Sequence, residues 1–219
     1  MFKARIPQLY SRAEYISDAA IHIWGLSAAL IAAPALILVA AAWVGDGNVT
    51  AAIAIYAICM VAMLTCSALY NMVPVPGWKD RLRRLDQSAI FLKIAGTYTP
   101  IVALTGAQAG GLLAGVWATS LVGASLIVFG PLWLKPMGTV AYVGLGWAGA
   151  IWGGPLASLL GPASFALLLT GGILYTVGVL FLLWERLPHH NTIWHVFVLA
   201  ATSLLYGAIY LELVTRAAL

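Results

Sequence analysis

Charged residues are scarce in this sequence. Asp, Glu, Lys and Arg make up 8% of its 219 residues, hydrophobic residues make up 63%, and the mean hydropathy is +0.97. A water-soluble domain has about 25% charged residues, so this chain cannot cover a soluble surface, and lipid must replace water around most of its exterior. The net charge of +4 and the pI of about 9.2 therefore indicate membrane orientation rather than a nucleic-acid partner.

Cysteines are few in this sequence, and we expect no cleavable signal peptide. Cys59 and Cys66 lie seven residues apart in one apolar run. On a helix they are about 10 Å apart along the axis, which is too far for a disulfide, so we interpret both as core residues.

The first apolar run, 19–43, is longer than the apolar region of a signal peptide, and no small-residue cleavage site is followed by a soluble body. We interpret this run as the first membrane span.

Seven apolar segments follow one another along the chain. Each is about as long as a helix needs to cross a hydrocarbon core of roughly 30 Å. Backbone groups in lipid must bond internally, so the sequence predicts an all-α bundle of seven transmembrane helices. The segments lie near residues 19–43, 49–72, 86–105, 111–134, 137–154, 162–184 and 192–213, and the fifth is the shortest and least well bounded. Short loops without internal repeats indicate one domain over residues 1–219.

The basic residues predict the orientation of this bundle. With seven spans, the N-terminus and the loops after spans two, four and six share one side of the membrane. That side carries Lys3, Arg5, Arg12, Lys79, Arg81, Arg83, Arg84, Lys135 and Arg186, whereas Arg216 alone lies on the other. The positive-inside rule then places the N-terminus in the cytoplasm and the C-terminus outside. Attraction to anionic lipid also explains the run WKDRLRRL, so we expect no nucleic-acid partner.

Polar residues from four predicted helices fall at a similar depth in the cytoplasmic leaflet. Ionisable groups inside a membrane are costly and usually face a bundle interior or a wet cavity. They lie at the start of span one, the end of span two and the starts of spans three and seven: Asp18, His22, Ser67, Asn71, Asp86, Asn191 and His195. The sequence therefore predicts a polar pocket in the cytoplasmic half of the bundle.

Six stretches carry a resemblance to a known family. They are SDAAIHIWG, SALYN, RRLDQSAIFLKIAGTYTP, YVGLGWAG, GGILYTVGVLF and NTIWHVFVL, and they span nearly all of the chain. In this order they resemble the hemolysin III family, bacterial relatives of the progestin and adipoQ receptors. The sequence is also similar to the wider superfamily of membrane hydrolases that includes alkaline ceramidases. The resemblance implies a multi-pass protein of the bacterial inner (plasma) membrane.

The resemblance also implies a zinc site held by three histidines, with a water on the metal. The family positions correspond here to Asn71, Asn191 and His195, with Asp86 as base or orienter of the water and Ser67 as its support. Three imidazoles and an open position would form a catalytic zinc site, in which the metal activates water and polarises a carbonyl. Only His195 is retained, and an amide is a poor transition-metal ligand beside an imidazole. We expect zinc binding to be weakened or lost.

Other histidines are candidates to replace the missing ligands. His22 lies at the right depth and follows Asp18 by four residues. We interpret it as hydrogen-bonded to that carboxylate, or alternatively as part of a rebuilt site with His195, Asp86 or His190. His189 and His190 follow a proline, and we expect both to lie in a solvated loop.

Lys93 is a charged residue inside the third predicted span. It shares a helix face with Asp86, seven residues earlier, and helical side chains lean towards the helix N-terminus. We hypothesise that its ammonium supplies the positive charge of a missing zinc and keeps Asp86 ionised. The alternative is simple snorkelling to the interface.

Three functions are compatible with these residues. We favour a membrane protein that binds lipids in its polar pocket and acts in membrane lipid homeostasis. The alternative implied by the resemblance is a zinc-dependent hydrolase of lipid amide bonds that uses Ser67, Asp86 and His195. Cytolysis or pore formation, which the family name suggests, ranks last, because no span carries the regular polar stripe of a wide aqueous channel.

Overall fold

The computed structural model describes residues 11–73, 77–130, 135–152 and 154–218, and within them the protein is all-α. In chain order the helices are α1 (Arg12–Val39), α2 (Gly47–Met72), α3 (Lys79–Thr105), α4 (Gly110–Phe129), α5 (Lys135–Gly146), α6 (Ala148–Trp152), α7 (Gly154–Leu159), α8 (Pro162–Leu183) and α9 (His190–Ala217). A π-helical turn, Ala40–Val44, continues α1. Lys3, Arg5 and residues 131–134 of the predicted fourth span lie outside the described residues.

Six of these helices are long and apolar enough to cross a membrane. They are α1 with its π-helical turn, α2, α3, α4, α8 and α9. They correspond to the predicted spans one to four, six and seven, so the expectation of a multi-pass helical membrane bundle is confirmed. Hydropathy places the start of the first span near residue 19, whereas α1 begins at Arg12. The first turns of α1 are polar, so a search for apolar runs does not include them. Ser11 and Glu14 form a capping box there, which satisfies backbone donors that hydropathy does not detect.

The predicted fifth span, 137–154, forms two shorter helices, α5 and α6, instead of one, and a third short helix, α7, begins at its last residue, Gly154. A tyrosine from α3 inserts at the break between α5 and α6. The Tyr98 hydroxyl donates to the carbonyl oxygen of Gly146 at 2.8 Å and accepts from the amide of Gly149 at 2.7 Å. A side chain that enters the backbone ladder is a recognised cause of helix breaks, so the interruption has a specific partner on the neighbouring helix.

The residues that flank the broken segment lie at opposite ends of the bundle. Before it, Ile127, Val128 and Gly130 at the end of α4 accept hydrogen bonds on their carbonyl oxygens from Arg84, in the first part of α3. After it, the amide of Gly161 donates to the Glu212 carboxylate near the end of α9. The end of α4 therefore lies where α3 begins, and the start of α8 lies where α9 finishes.

Glycines allow close packing between α8 and α9. A Cβ atom added at Gly171 would overlap the Leu205 side chain, and one at Gly178 would lie 2.9–3.1 Å from Phe197 and Trp194 atoms. In membranes, where lipid is as apolar as the helices, small residues of this kind permit the contacts that hold helices together. Helix α9 is therefore fixed from one side by α8, which positions its N-terminal polar residues.

Candidate lipid pocket and metal-ligand cluster

A cavity of about 330 Å³ lies inside the bundle. Its polar end is formed by side chains from α1, α2, α3 and α9, and apolar side chains dominate the remaining wall. The polar end contains His22, Ser67, Asp86 and His195, and the apolar wall includes Met63, Ile101, Leu156, Leu160 and Leu205. The predicted site residues Asp86 and His195 thus border the same cavity, and neither is directed outward into lipid.

Asp18, His22 and His195 form a buried cluster at this polar end. Each side chain offers one ligand atom, and these three atoms lie within 4.8 Å of one another. The residues are 2%, 6% and 6% exposed, and the two imidazole rings meet edge to face with centroids 4.3 Å apart. Two imidazoles and one carboxylate form a donor set that zinc uses in proteins.

Ser67 bridges the two imidazoles from α2. Its hydroxyl oxygen lies 3.3 Å from Nε2 of His22 and 3.3 Å from Nε2 of His195. Four residues later, the Asn71 amide nitrogen lies 3.4 Å from Nε2 of His22. The i, i+4 spacing places Ser67 and Asn71 on one helix face, so both of these residues contact the cluster.

The Asp18 carboxylate connects α1 to α9. It accepts a hydrogen bond from the Asn191 amide at 2.6 Å and one from the Thr192 hydroxyl at 3.0 Å. Its Oδ1 also lies 3.5 Å from Nδ1 of His195, although that nitrogen has no hydrogen bond within the described residues. Thr192 had no role in the sequence interpretation, because a threonine near a helix start gives no signal by itself.

The interpretation of His22 as a partner of the Asp18 carboxylate is corrected by the structure. His22 Nδ1 donates instead to the backbone carbonyl oxygen of Asp18, at 2.7 Å. A carbonyl can only accept, so the proton lies on Nδ1 and Nε2 keeps its lone pair. The ring therefore turns back along its own helix, and the Asp18 carboxylate accepts hydrogen bonds from α9.

His190 does not lie in a solvated loop, contrary to expectation, whereas His189 lies in the turn before α9 and is half-buried. His189 adopts a left-handed conformation with φ of 59° immediately before α9, and its Nδ1 is 2.9 Å from the Ser17 hydroxyl. Its backbone amide donates to Glu14. His190 is the first residue of α9, and its Nδ1 is buried without a hydrogen-bond partner among the described residues. His189 thus joins the start of α9 to α1.

Lys93 does not pair with Asp86. Within the described residues, its Nζ has no carboxylate partner, and its contact is with the face of the Tyr175 ring, 4.8 Å from the centroid. Lys93 is 3% exposed and lines the cavity, so it does not snorkel to the interface. Seven residues on a helix span about 10 Å, and Lys93 instead faces α8. Asp86 lies beside Ser67 and His195.

Comparison with known proteins identifies the family. The haemolysin-III related family matches residues 13–206. Hemolysin-3 of Bacillus cereus is 35% identical over 197 residues, which cover 88% of this chain and 89% of that protein. The Hemolysin-3 homolog of Bacillus subtilis (strain 168) is 34% identical over 202 residues, covering 90% and 93%. The chain belongs to the haemolysin-III related family. No solved structure matches it.

The two asparagines do not fit the zinc positions that the resemblance to the haemolysin-III related family implies. The amide oxygen of Asn71 accepts a hydrogen bond from Asn191 at 3.0 Å, and its amide nitrogen donates to the carbonyl oxygen of Ser67 at 2.9 Å. The amide nitrogen of Asn191 also holds Asp18. The Asn71 amide and the Asn191 amide nitrogen are thus engaged in the hydrogen-bond network around the cluster.

The group of Asp18, His22 and His195 fits a metal ion better. His195 belongs both to the zinc positions implied by the resemblance and to this cluster. Nε2 of His22 retains the lone pair that a metal ligand needs. His195 Nδ1 is a buried polar atom without a hydrogen bond in the described part of the chain, which a bound cation could satisfy. In this protein of the haemolysin-III related family, the residues that could hold a metal therefore lie on α1 and α9, whereas the resemblance implies positions on α2 and α9.

Proposed function

We propose that this protein binds single-chain or membrane lipids in its internal cavity and acts in membrane lipid homeostasis. The observation that carries the proposal is the distribution of polar and apolar residues along the cavity, which has one polar end and a long apolar wall. Its volume of about 330 Å³ falls in the range of small-molecule pockets. An amphiphile with one polar group and one hydrocarbon chain matches this distribution.

Lipid can reach the cavity from the side of the bundle. Several residues line the cavity and are also exposed on the outer surface, on the flank between α5 and α6 on one side and α8 on the other. They are Gly146, Ala150, Phe165 and Leu169. The outer surface of this flank faces hydrocarbon in a membrane bundle, so a lipid chain enters here without crossing water. The apolar wall also disfavours an aqueous pore along this cavity.

The proposal includes a seven-crossing topology in the plasma membrane of a bacterium. Helices α5 to α7 would provide the fifth crossing, with the N-terminus in the cytoplasm and the C-terminus outside. The basic residues at the start of α3 support this orientation through the positive-inside rule. The polar end of the cavity then lies in the cytoplasmic half of the bilayer, and the membrane lipids of that leaflet are the partners.

A tryptophan placed in the cavity tests lipid binding. Ala157 lines the cavity, whereas Ala166 on α8 is exposed and does not, so the same substitution provides a matched control. We expect Ala157→Trp to weaken binding of a fluorescent long-chain lipid to the protein in nanodiscs at least about tenfold, or roughly 1.4 kcal/mol. Ala166→Trp should leave binding unchanged. Equal affinity in both variants, or no binding by the unmodified protein, would refute the proposal.

A metal-dependent lipid amide hydrolase is the second candidate function. The favouring observation is the buried group of Asp18, His22 and His195. A bound zinc ion would act there as a Lewis acid and activate water for attack on a carbonyl. Ser67 would hold both imidazoles in orientation, and Asp86 at the cavity wall would accept a proton. The apolar wall would bind the acyl chain.

Metal analysis separates the two candidates. We expect the hydrolase to contain stoichiometric zinc that is lost in His195→Gln and retained in His190→Gln, a matched control outside the three-residue cluster. Ceramide hydrolysis should decline in parallel with the zinc content. Metal-free protein that still binds lipid would exclude the zinc-dependent hydrolase and leave the lipid-binding function in place.

A further inference from the structure

Lys93 is a buried cation without a charged partner among the residues that the structure describes. It is 3% exposed, it lines the apolar cavity, and no carboxylate oxygen of the described residues pairs with its Nζ. A buried charge is expensive unless it is paired or hydrogen-bonded, and ionisable residues within membrane helices generally have functional partners. From this position we propose that Lys93 binds the carboxylate of a long-chain fatty acid inside the cavity. The inference rests on the proposed lipid-binding function.

The surroundings of Lys93 hold the ammonium at the cavity wall. Its Nζ lies 4.8 Å from the centroid of the Tyr175 ring, over its face, and such cation–π contacts stabilise a desolvated cation. The Tyr175 hydroxyl is 2.6 Å from the Thr202 hydroxyl on α9, so the ring is fixed between α3 and α9. The ring face offers no negative charge of its own, and an anion from the ligand would complete the pairing.

The position of Lys93 along α3 defines the direction of the ligand. Towards the start of α3, the cavity wall contains the polar residues Asp86, Ser67 and His195. Towards the end of α3, the wall contains Ile101 and apolar residues of α7 and α9. Lys93 and Ile101 are eight residues apart, or about 12 Å along the helix. The carboxylate therefore lies at Lys93, with the hydrocarbon chain directed towards Ile101.

The chemistry around Lys93 favours a carboxylate over a phosphate headgroup. One ammonium matches one negative charge, and the neighbouring wall residues Ile90, Ile94 and Val179 offer no side-chain donors. A phosphate has more oxygens and more charge, and it is usually bound by several donors at once. A monoanionic fatty acid leaves fewer polar atoms unsatisfied than a phospholipid headgroup would.

Two amphiphiles of equal chain length test the proposal. Palmitate carries the anion and 1-hexadecanol does not, and both are titrated into the full-length protein in nanodiscs at a pH that keeps the carboxyl ionised. We expect the unmodified protein to bind palmitate at least about tenfold more tightly, a difference of roughly 1.4 kcal/mol. Lys93→Met should abolish this preference and leave hexadecanol affinity within about twofold. Lys93→Arg should retain part of the preference.

Lys79→Met is the matched control, because Lys79 begins the same helix on the exposed surface. It should keep the full preference for palmitate. An undiminished preference in Lys93→Met, or no preference in the unmodified protein, overturns the assignment of Lys93 while hexadecanol binding still supports the lipid pocket. Failure of both amphiphiles to bind overturns the proposed function as well.

Protection from chemical labelling tests the same contact without any substitution. In the unmodified protein, palmitate should slow acylation of Lys93 by a membrane-permeant amine reagent, measured by peptide mass spectrometry, and should leave Lys79 unaffected. Hexadecanol should protect Lys93 less than palmitate. Equal protection by the two amphiphiles contradicts an ion pair at Lys93.

Discussion

Asp18 is the residue that ties α1 to α9 at the polar end of the cavity. Its side chain is buried and accepts hydrogen bonds from both Asn191 and Thr192. In Asp18→Asn, an amide NH₂ group would face one of these donors, and a buried donor without an acceptor costs about 1–3 kcal/mol. We expect this variant to unfold at a lower temperature than the unmodified protein in the same detergent.

Asp80→Asn is the control for this substitution. Asp80 pairs with Arg83 at 2.8 Å, but its side chain is 77% exposed, and exposed ion pairs contribute about 0–1 kcal/mol. Its unfolding temperature should therefore change little. If the two variants lost the same stability, the Asp18 network would contribute no more than a surface pair.

At the residue scale, the sequence predicts the depth of a residue in the membrane better than it predicts the partner of its side chain. A residue's position in a span fixes its height, since each residue rises 1.5 Å, and this places Asp18, His22 and His195 at one level. Hydropathy gives neither helix rotation nor side-chain direction. For this reason the contact of His22 with a backbone carbonyl, and of Lys93 with Tyr175, was not predicted.

At the scale of helices, close packing of α8 against α9 depends on Gly171 more than on its neighbour Gly172. A Cβ at Gly171 would overlap Leu205 and lie 3.3 Å from the Ala201 carbonyl oxygen, whereas one at Gly172 would have its nearest contact at 3.6 Å, with Trp147. Overpacking of this kind typically costs about 1–3 kcal/mol. We expect Gly171→Val to lower the thermal unfolding midpoint in detergent.

Gly172→Val is the matched control, with the same change one residue later. Its added atoms enter ordinary contact distance, so the unfolding midpoint should shift much less than in Gly171→Val. Equal shifts would mean that the loss of helix propensity, common to both, outweighs the contact with α9.

Long apolar runs predict helices well, but they do not predict interruptions. Six of the seven expected spans correspond to single long helices, because continuous hydrophobicity and intrahelical bonding act on each run separately. The break between α5 and α6 depends on Tyr98 of α3, a tertiary contact that no local window contains. Helix ends also shift where capping groups such as Ser11 extend a helix beyond its apolar part.

At the scale of the whole molecule, the broken fifth segment decides on which side the C-terminus lies. If α5 to α7 cross the bilayer together, the chain crosses seven times and its ends lie on opposite sides. If they do not cross, six crossings place both ends on one side. The contacts of Arg84 with the end of α4, and of Gly161 with Glu212, place the residues that flank this segment at opposite ends of the bundle, which favours seven crossings.

Reporter fusions at the C-terminus distinguish six crossings from seven. We expect alkaline phosphatase, which is active only outside the cytoplasm, to be active when fused after the last residue, and green fluorescent protein there to be dark after Sec-dependent export. Fusions in the loop between α8 and α9 should give the reverse pattern, since that loop carries Arg186 and the positive-inside rule assigns it to the cytoplasmic side. A fluorescent C-terminal fusion with inactive phosphatase would place the C-terminus in the cytoplasm, together with the N-terminus. The chain would then cross six times, and the fifth segment would not cross the bilayer.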